Sequence, residues 1–366
     1  MNRLVMSILA LALGYAGRHW PRPAVAELEF EATSAWNNGQ VDLAERLARR
    51  ALSREPTATR AKDVLTQISY HRNLPELRLA VALAPDEQPH AAADRFMKAG
   101  SVALSLNLAR LADGYWKTGL TQDNRASSLH HRRSTLAGAR LDPYSMQQRL
   151  LEWCEHGSPP EDVVMLFLEI ASIDHRDASA AEGALRTWLE ADSTDLDTRL
   201  GLARCLIARG QWRECEIVLN GYSGEPGAAT LLAVSRASAG QADGAAEILP
   251  ELPFPDWVAD HWYAVGLIAL HRKHWIAAAD ALELAVKNRP LSIPFRSRYC
   301  EALRQKGDVS TERTQVKLLK TLFRIVNVAN RSTAAPDRLA EEQVAAMCIS
   351  VGADEASRIL SGRSSR

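Results

Sequence analysis

The clearest alternation of apolar and polar positions runs from Asp260 to Pro290. Large apolar residues (Trp262, Leu282) and small ones (Gly266, Ala278, Ala285) recur at spacings of three and four, the period of an α-helix with one buried face. A polar stretch around His271 and His274 divides the run, and Pro290 stops it. The reading is a pair of antiparallel helices, brought close by Gly266 and Ala278, with Trp262 and Leu282 filling the layer between them. A second copy lies near the start, with Ala32, Ala44 and Ala51 at the small positions, Gly39 closing the first helix and Pro56 ending the second. The turn recurs as Gly210-Gln211, Gly240-Gln241 and Gly307-Asp308. Successive pairs are predicted to open at residues 162, 196, 226, 259 and 293, separations of 34, 30, 33 and 34. A register that drifts by so little over consecutive units marks stacked repeats, none able to bury its apolar face alone.

In a 34-residue frame beginning at Ala259, Trp262 falls at position 4, Gly266 at 8, Ala278 at 20, Ala285 at 27 and Pro290 at 32. That order resembles the tetratricopeptide repeat, with Ala269 the one soft departure from its preferred aromatic. The resemblance implies an all-α fold, a right-handed α-solenoid of stacked antiparallel helix pairs. The chain divides accordingly into an N-terminal segment (1–22), repeats at 25–88, degenerate helical repeats at 89–158, a regular array at 159–327, and capping helices with a flexible tail at 328–366. Within 89–158, residues 93–113 read as one helix, 114–123 as a linker longer than a repeat turn, and Pro85 and Pro143 as unit-ending prolines. Residues 161–189 read as one helix pair, and 361–366 as disordered.

Residues 4–17 are uncharged and apolar, preceded by Arg3 and followed by Arg18. Fourteen helical residues span about 21 Å, short of a hydrocarbon core of about 30 Å. This favours a signal-peptide core, and Ala24-Val25-Ala26 offers a small-x-small cleavage site. Arg18, His19 and Arg22 beyond the run, with Trp20 at an interface, instead suit an uncleaved anchor. Either way the repeats are expected on the non-cytoplasmic side of the cell envelope.

Composition narrows the chemistry. Lys+Arg and Asp+Glu are both 44, so no global cationic field exists to displace counterions from a polyanion, and nucleic acid is not an expected partner. No phosphate-cradling glycine loop, HExxH or GxSxG motif occurs. The five cysteines have no CxxC spacing and read as small core residues; Cys205 and Cys215, in one hairpin, could pair in an exported protein. His261, His271 and His274 lack carboxylates at ligand spacing, so no metal site, cofactor or catalytic residue is assigned. Glu161-Asp162 sit where negative charge stabilises a helix start.

In the family the first helix of each unit faces the concave groove, and the resemblance assigns a groove from the matching positions. These are Glu29, Trp36 and Asn37 in the first copy, and Asp197 and Arg204 in the unit at 196. Asp260, Tyr263 and His271 follow in the unit at 259, and Glu301 and Arg304 in the last. Trp36 and Tyr263 would be exposed aromatic anchors. Mixed charge does not resemble the basic clamp that some members use for a C-terminal carboxylate. The expected function is a non-enzymatic scaffold at the cell envelope that holds another protein or peptide, with the N-terminal segment in the membrane. The alternative is an envelope enzyme or maturation factor with active groups in residues 91–158, where His130-His131 draw attention.

Overall fold

The computed structural model describes residues 24–38, 40–73, 89–172, 178–332 and 338–364; the N-terminal apolar run, Gly39 and Pro85 lie outside them. All regular structure among the described residues is helical, and none of those helices is long and apolar enough to cross a membrane. The chain separates into two compact units, Met1–Ala82 and Leu83–Arg366.

The first unit holds α1 (Val25–Asn37), α2 (Val41–Arg54) and α3 (Thr59–Asn73), each packed on the others. Ala32, Ala44 and Ala51 are fully buried between α1 and α2, as the small-residue pattern requires, and Pro56 lies in the turn after α2.

The second unit runs α4 (Pro89–Ser105), α5 (Ala109–Gln122), α6 (Ser127–Ala139), α7 (Pro143–His156), α8 (Glu161–Ser172) and α9 (Ala178–Ala191). The regular array follows as α10 (Leu196–Ala208), α11 (Trp212–Leu219), α12 (Pro226–Ser238), α13 (Ala242–Ile248), α14 (Val258–His271), α15 (Trp275–Asn288) and α16 (Ile293–Lys306). Then come α17 (Val309–Ser332), α18 (Arg338–Ser350) and α19 (Asp354–Ser364). From α10 onward each first helix packs on its own second helix and on the next first helix, which is the stacking of a solenoid. In the best-matched unit Ala278 and Ala285 are buried, Trp262 packs against that core, and a Cβ on Gly266 would lie 2.5 Å from Leu282. Pro290 closes the turn after α15.

One helix ending unifies this unit. In α4, α6, α10, α12, α14, α16 and α18 the last carbonyls accept from a residue five positions on, as in Gln211 N to Leu206 O at 2.9 Å and His274 N to Ala269 O at 2.9 Å. The residue between has positive φ: Asn107, Leu141, Gly210, Gly240, Lys273, Gly307 or Gly352. This is the Schellman motif, which satisfies carbonyls that the helix end would orphan. Asn107 and Leu141 stand 34 residues apart. The 89–158 block is therefore two ordinary helical hairpins.

Four expectations are corrected here. The proposed 114–123 linker is most of α5: Tyr115 and Trp116 are buried, and a Cβ on Gly119 would fall 2.6 Å from Leu129. A Cβ on Gly100 would fall 2.2 Å from the Trp116 indole. Residues 93–113 are two helices, divided by the left-handed Asn107. Pro143 opens α7 rather than closing a unit, because its missing N–H belongs at a first helical position and Asp142 caps the helix. Residues 161–189 are not a hairpin: α8 packs mainly on α17, α6 and α7, while α9 pairs with α10.

The last of these follows from α8 being apolar nearly all round (Val163, Val164, Met165, Phe167, Leu168 and Ile170 are buried), so it needs cover on every side. The C-terminal helices supply it. Val344, Cys348, Ile359 and Leu360 join Trp153, Phe167 and Leu168 in one core, so α17–α19 fold back over α7 and α8 instead of capping an open end. The helix also continues through the tail to Ser364. Arg296, 2% exposed, ties this closure to the array by donating to the carbonyls of Pro290 (3.1 Å) and Val351 (3.3 Å).

The positive-φ turns allow a test of opposite signs. Lys273 is exposed and strained at φ 60, whereas Gly240 is relaxed at φ 83. Left-handed backbone costs a non-glycine residue about 1–2 kcal/mol, and the freedom of glycine in the unfolded chain returns about 0.5–1 kcal/mol. Urea denaturation should therefore find Lys273→Gly more stable by about 0.5 kcal/mol and Gly240→Ala less stable by about 1 kcal/mol. Shifts of the same sign would contradict the assignment.

Candidate functional site

The first helices α10, α14 and α16 carry most of the residues expected to line a groove. Part of it is met by the chain itself. The α6–α7 turn lies against α10 so closely that a Cβ on Gly201 would sit 2.3 Å from the Arg140 carbonyl oxygen. Leu141, held left-handed, inserts its side chain into the core formed by Leu200, Leu202, Leu231 and their neighbours. Three residues on, Tyr144 packs against the core of α14–α16, with the Arg289 guanidinium 5.8 Å from its ring centre. Gly201→Ala should force backbone apart and cost about 3 kcal/mol by denaturation, at the upper end for overpacking. A loss below 1 kcal/mol would mean that the turn is not seated there.

Charge locks the same contact. Arg140 and Asp195 are 3% and 1% exposed and meet at 2.6 Å. Arg140 also donates from Nε to Thr198 Oγ1 (3.1 Å), and Asp195 caps α10 by accepting from Thr198 N (3.1 Å). Behind them Asp113 accepts from Arg133 (3.1 Å) and Arg149 (3.0 Å). Burial pushes the Asp113 carboxyl up, but the charges of Arg149, Arg133 and Arg140 outweigh it and hold it well below the usual carboxylate range. Since the folded value lies below the unfolded one of about 3.9, the linked stability is complete above that pH and is lost as pH falls through the folded value. Unfolding free energy should fall below about pH 4, and Asp113→Asn should flatten that acid limb in a pH series of urea melts. An unchanged acid limb counts against the cluster.

Between α7 and the first helices remains a cleft of about 480 Å³. Its walls are the start of α7 (Asp142, Tyr144, Gln148), the face of α10 (Asp197, Leu200, Arg204), the start of α12 (Glu225, Pro226, Gly227), and the loop 254–257. Gly227 is required there: a Cβ would fall 2.4 Å from the Trp257 ring. The Arg204 guanidinium lies 4.7 Å from the centre of that ring. Asp142, already bonded to Ser145, is pushed up by burial but held below the ordinary range by Arg204 and that hydrogen bonding. Tyr144 separates this cleft from a smaller cavity of about 240 Å³ between α7, α15 and α19.

Of the residues assigned to the groove, Asp197 and Arg204 line the cleft. The others do not gather there. Asp260 is 6% exposed and pairs with Arg289 at 3.5 Å. Tyr263 stacks on Phe295, ring centres 4.2 Å apart. His271 is exposed at the end of α14, Glu301 pairs with Arg298 (2.7 Å), and Arg304 pairs with Glu312 (2.8 Å). In the first unit Trp36 is buried rather than an exposed anchor, because its ring belongs to the α1 core face; Asn37 is half-buried. Glu29 accepts from the Ala61 N–H at 3.2 Å, capping the start of α3. Asp142, Tyr144, Glu225 and Trp257 were not assigned from the sequence, because α7 lies outside the regular array and the Pro253–Pro255 loop resembles punctuation.

His130 and His131 form no cleft. His130 is buried, stacked on Trp153 (5.7 Å), with Nε2 2.8 Å from the Asn124 carbonyl; burial lowers its pKa. His131 meets the same ring edge-on. None of the five cysteines is in a disulfide, so Cys205 and Cys215 do not pair; both are buried, and burial pushes the Cys215 thiol up to about 12. No group of His, Cys, Asp and Glu among the described residues is placed to hold a metal ion.

Residues 172–225 match the family described as "Tetratricopeptide repeat". That segment carries a tetratricopeptide repeat, and it lies within the stacked hairpins that share the turn described above. A tetratricopeptide repeat protein from Parabacteroides merdae is similar over 81% of this chain and 98% of that one, at 13% identity and TM-score 0.30. The APC/C hetero-tetramer Cut9-Hcn1 is similar over 93% and 80%, at 13% identity and TM-score 0.32. No curated protein sequence matches the chain. A repeat of this kind suggests a protein–protein interaction scaffold.

Proposed function

We propose that this chain is a non-enzymatic scaffold of the cell envelope, and that it holds a segment of a partner protein in the cleft between α7 and the first helices of the array. The cleft carries the reading: it is concave, several side chains wide, and brings Asp197 and Arg204, two groove positions of the repeat, together with aromatic walls. The envelope placement rests on the apolar run at residues 4–17 and its flanking arginines. A photo-crosslinking residue at Gln148, exposed on the cleft wall, should capture one partner segment reproducibly in cells, while the same residue at Glu283 on α15 should not. Equal capture at both positions, or a measured catalytic turnover, would overturn the scaffold role. N-terminal sequencing of the protein from membrane and soluble fractions tests the compartment, and recovery of an intact Met1 from the soluble cytoplasm would remove the envelope placement.

A further inference from the structure

The lining of the cleft is unbalanced. Asp142, Asp197, Glu225 and Asp256 present carboxylates to it, and among the described lining residues the single cation is Arg204, already stacked on Trp257. Asp197 is 64% exposed and meets Arg140 at 3.5 Å, while Arg140 keeps its closer bond for Asp195. Tyr144 lines the cleft too, and its hydroxyl is buried without a hydrogen-bond partner. Beyond Trp257 the loop continues into Phe254, 44% exposed, and Leu252, 78% exposed, an apolar lip beside an acidic pocket.

We infer that the cleft recognises a lysine or arginine side chain on an extended segment of the partner, flanked by apolar residues that cover the lip. This rests on the scaffold reading and adds the chemistry of the partner. A cation entering between Asp197 and Glu225 is paired by carboxylates, and its aliphatic stem lies along Tyr144 and Trp257, an arrangement that an anionic or neutral side chain does not reproduce. A free polyamine shares the charge but leaves Leu252 and Phe254 uncovered, so the occupant is a peptide.

The test uses the whole chain and three acetylated, amidated pentapeptides, Gly-Leu-Xaa-Leu-Gly, with arginine, norleucine or glutamate at the centre, and spermidine as a fourth probe. The readout is the Trp257 indole N–H resonance, assigned with Trp257→Phe. The arginine peptide should shift it saturably, and the norleucine and glutamate peptides should bind at least about tenfold more weakly, a difference of about 1.4 kcal/mol. Asp197→Asn with Glu225→Gln should weaken the arginine peptide by a similar factor while the chain keeps its folded circular dichroism spectrum. Equal binding of arginine and norleucine peptides overturns the inference, as does preference for glutamate, or saturation by spermidine that the peptide fails to displace. Should the crosslink at Gln148 map to a segment without lysine or arginine, the scaffold survives and the charge preference falls.

Discussion

Replacing Arg140 by alanine is expected to cost the Leu83–Arg366 unit about 3–5 kcal/mol, the usual loss when one partner of a buried ion pair is removed. The reason is what stays behind. Asp195 is 1% exposed, and its nearest cation is Arg140 at 2.6 Å. Without the guanidinium a carboxylate remains buried at the start of α10, still accepting from Thr198 N and Thr198 Oγ1 but carrying an uncompensated charge. Arg140→Lys should fall between, since lysine can pair with Asp195 but cannot also present an Nε–H to Thr198. Urea unfolding of the three proteins at pH 7 decides the matter. A loss below 1 kcal/mol for alanine would show that the α6–α7 turn is held by packing at Leu141 and Gly201 alone.

Deleting the chain after Ser332 should be at least as damaging. Were α18 and α19 a peripheral cap, the array would lose only its last step. They instead bury Val344, Cys348, Ile359 and Leu360 against Trp153, Phe167 and Leu168, in the middle of the unit. Each large apolar side chain returned to water costs about 1.5–3 kcal/mol, so four together approach the whole stability of an ordinary domain, about 5–15 kcal/mol. The shortened protein is expected to aggregate or to melt broadly well below the full chain, by circular dichroism and gel filtration. Ile359→Ala, which leaves one cavity, should cost about 2–5 kcal/mol without loss of solubility. A truncated chain with the full-length midpoint would refute the closure.

The regular part of the fold was legible from two signals. Gly210, Gly240 and Gly307 mark the positive-φ position openly in three of its turns, and where Lys273 takes that place the Trp262–Pro290 spacing sets the register instead. Asn107 and Leu141 adopt the same backbone without the marker, so α4–α7 looked degenerate. Leu141 bears that backbone because its side chain fills the core under α10, a contact between residues far apart in sequence. Gly114 and Gly119 misled in the opposite sense: both stand inside α5, and at Gly119 a Cβ would fall 2.6 Å from Leu129. A hint of the unusual surroundings of α8 did exist: an uninterrupted apolar helix must be covered on all sides, unlike the half-polar helices of an open solenoid.

Local spacing by itself determined that the chain makes helices, that they pair, and that the pairs stack with small residues at the contact. Those properties depend on neighbours within one repeat, and a 34-residue pattern contains them. Tertiary structure alone decided that α17–α19 return over α7 and α8, that the α6–α7 turn seats on α10, and that most of the supposed groove residues are already engaged. Each of those results depends on which apolar and charged surfaces meet across more than one repeat of chain, as Arg140 meets Asp195 at a separation of 55 residues and Trp153 meets the C-terminal helices. Periodicity describes which face of a helix is buried; it carries no information on what covers it.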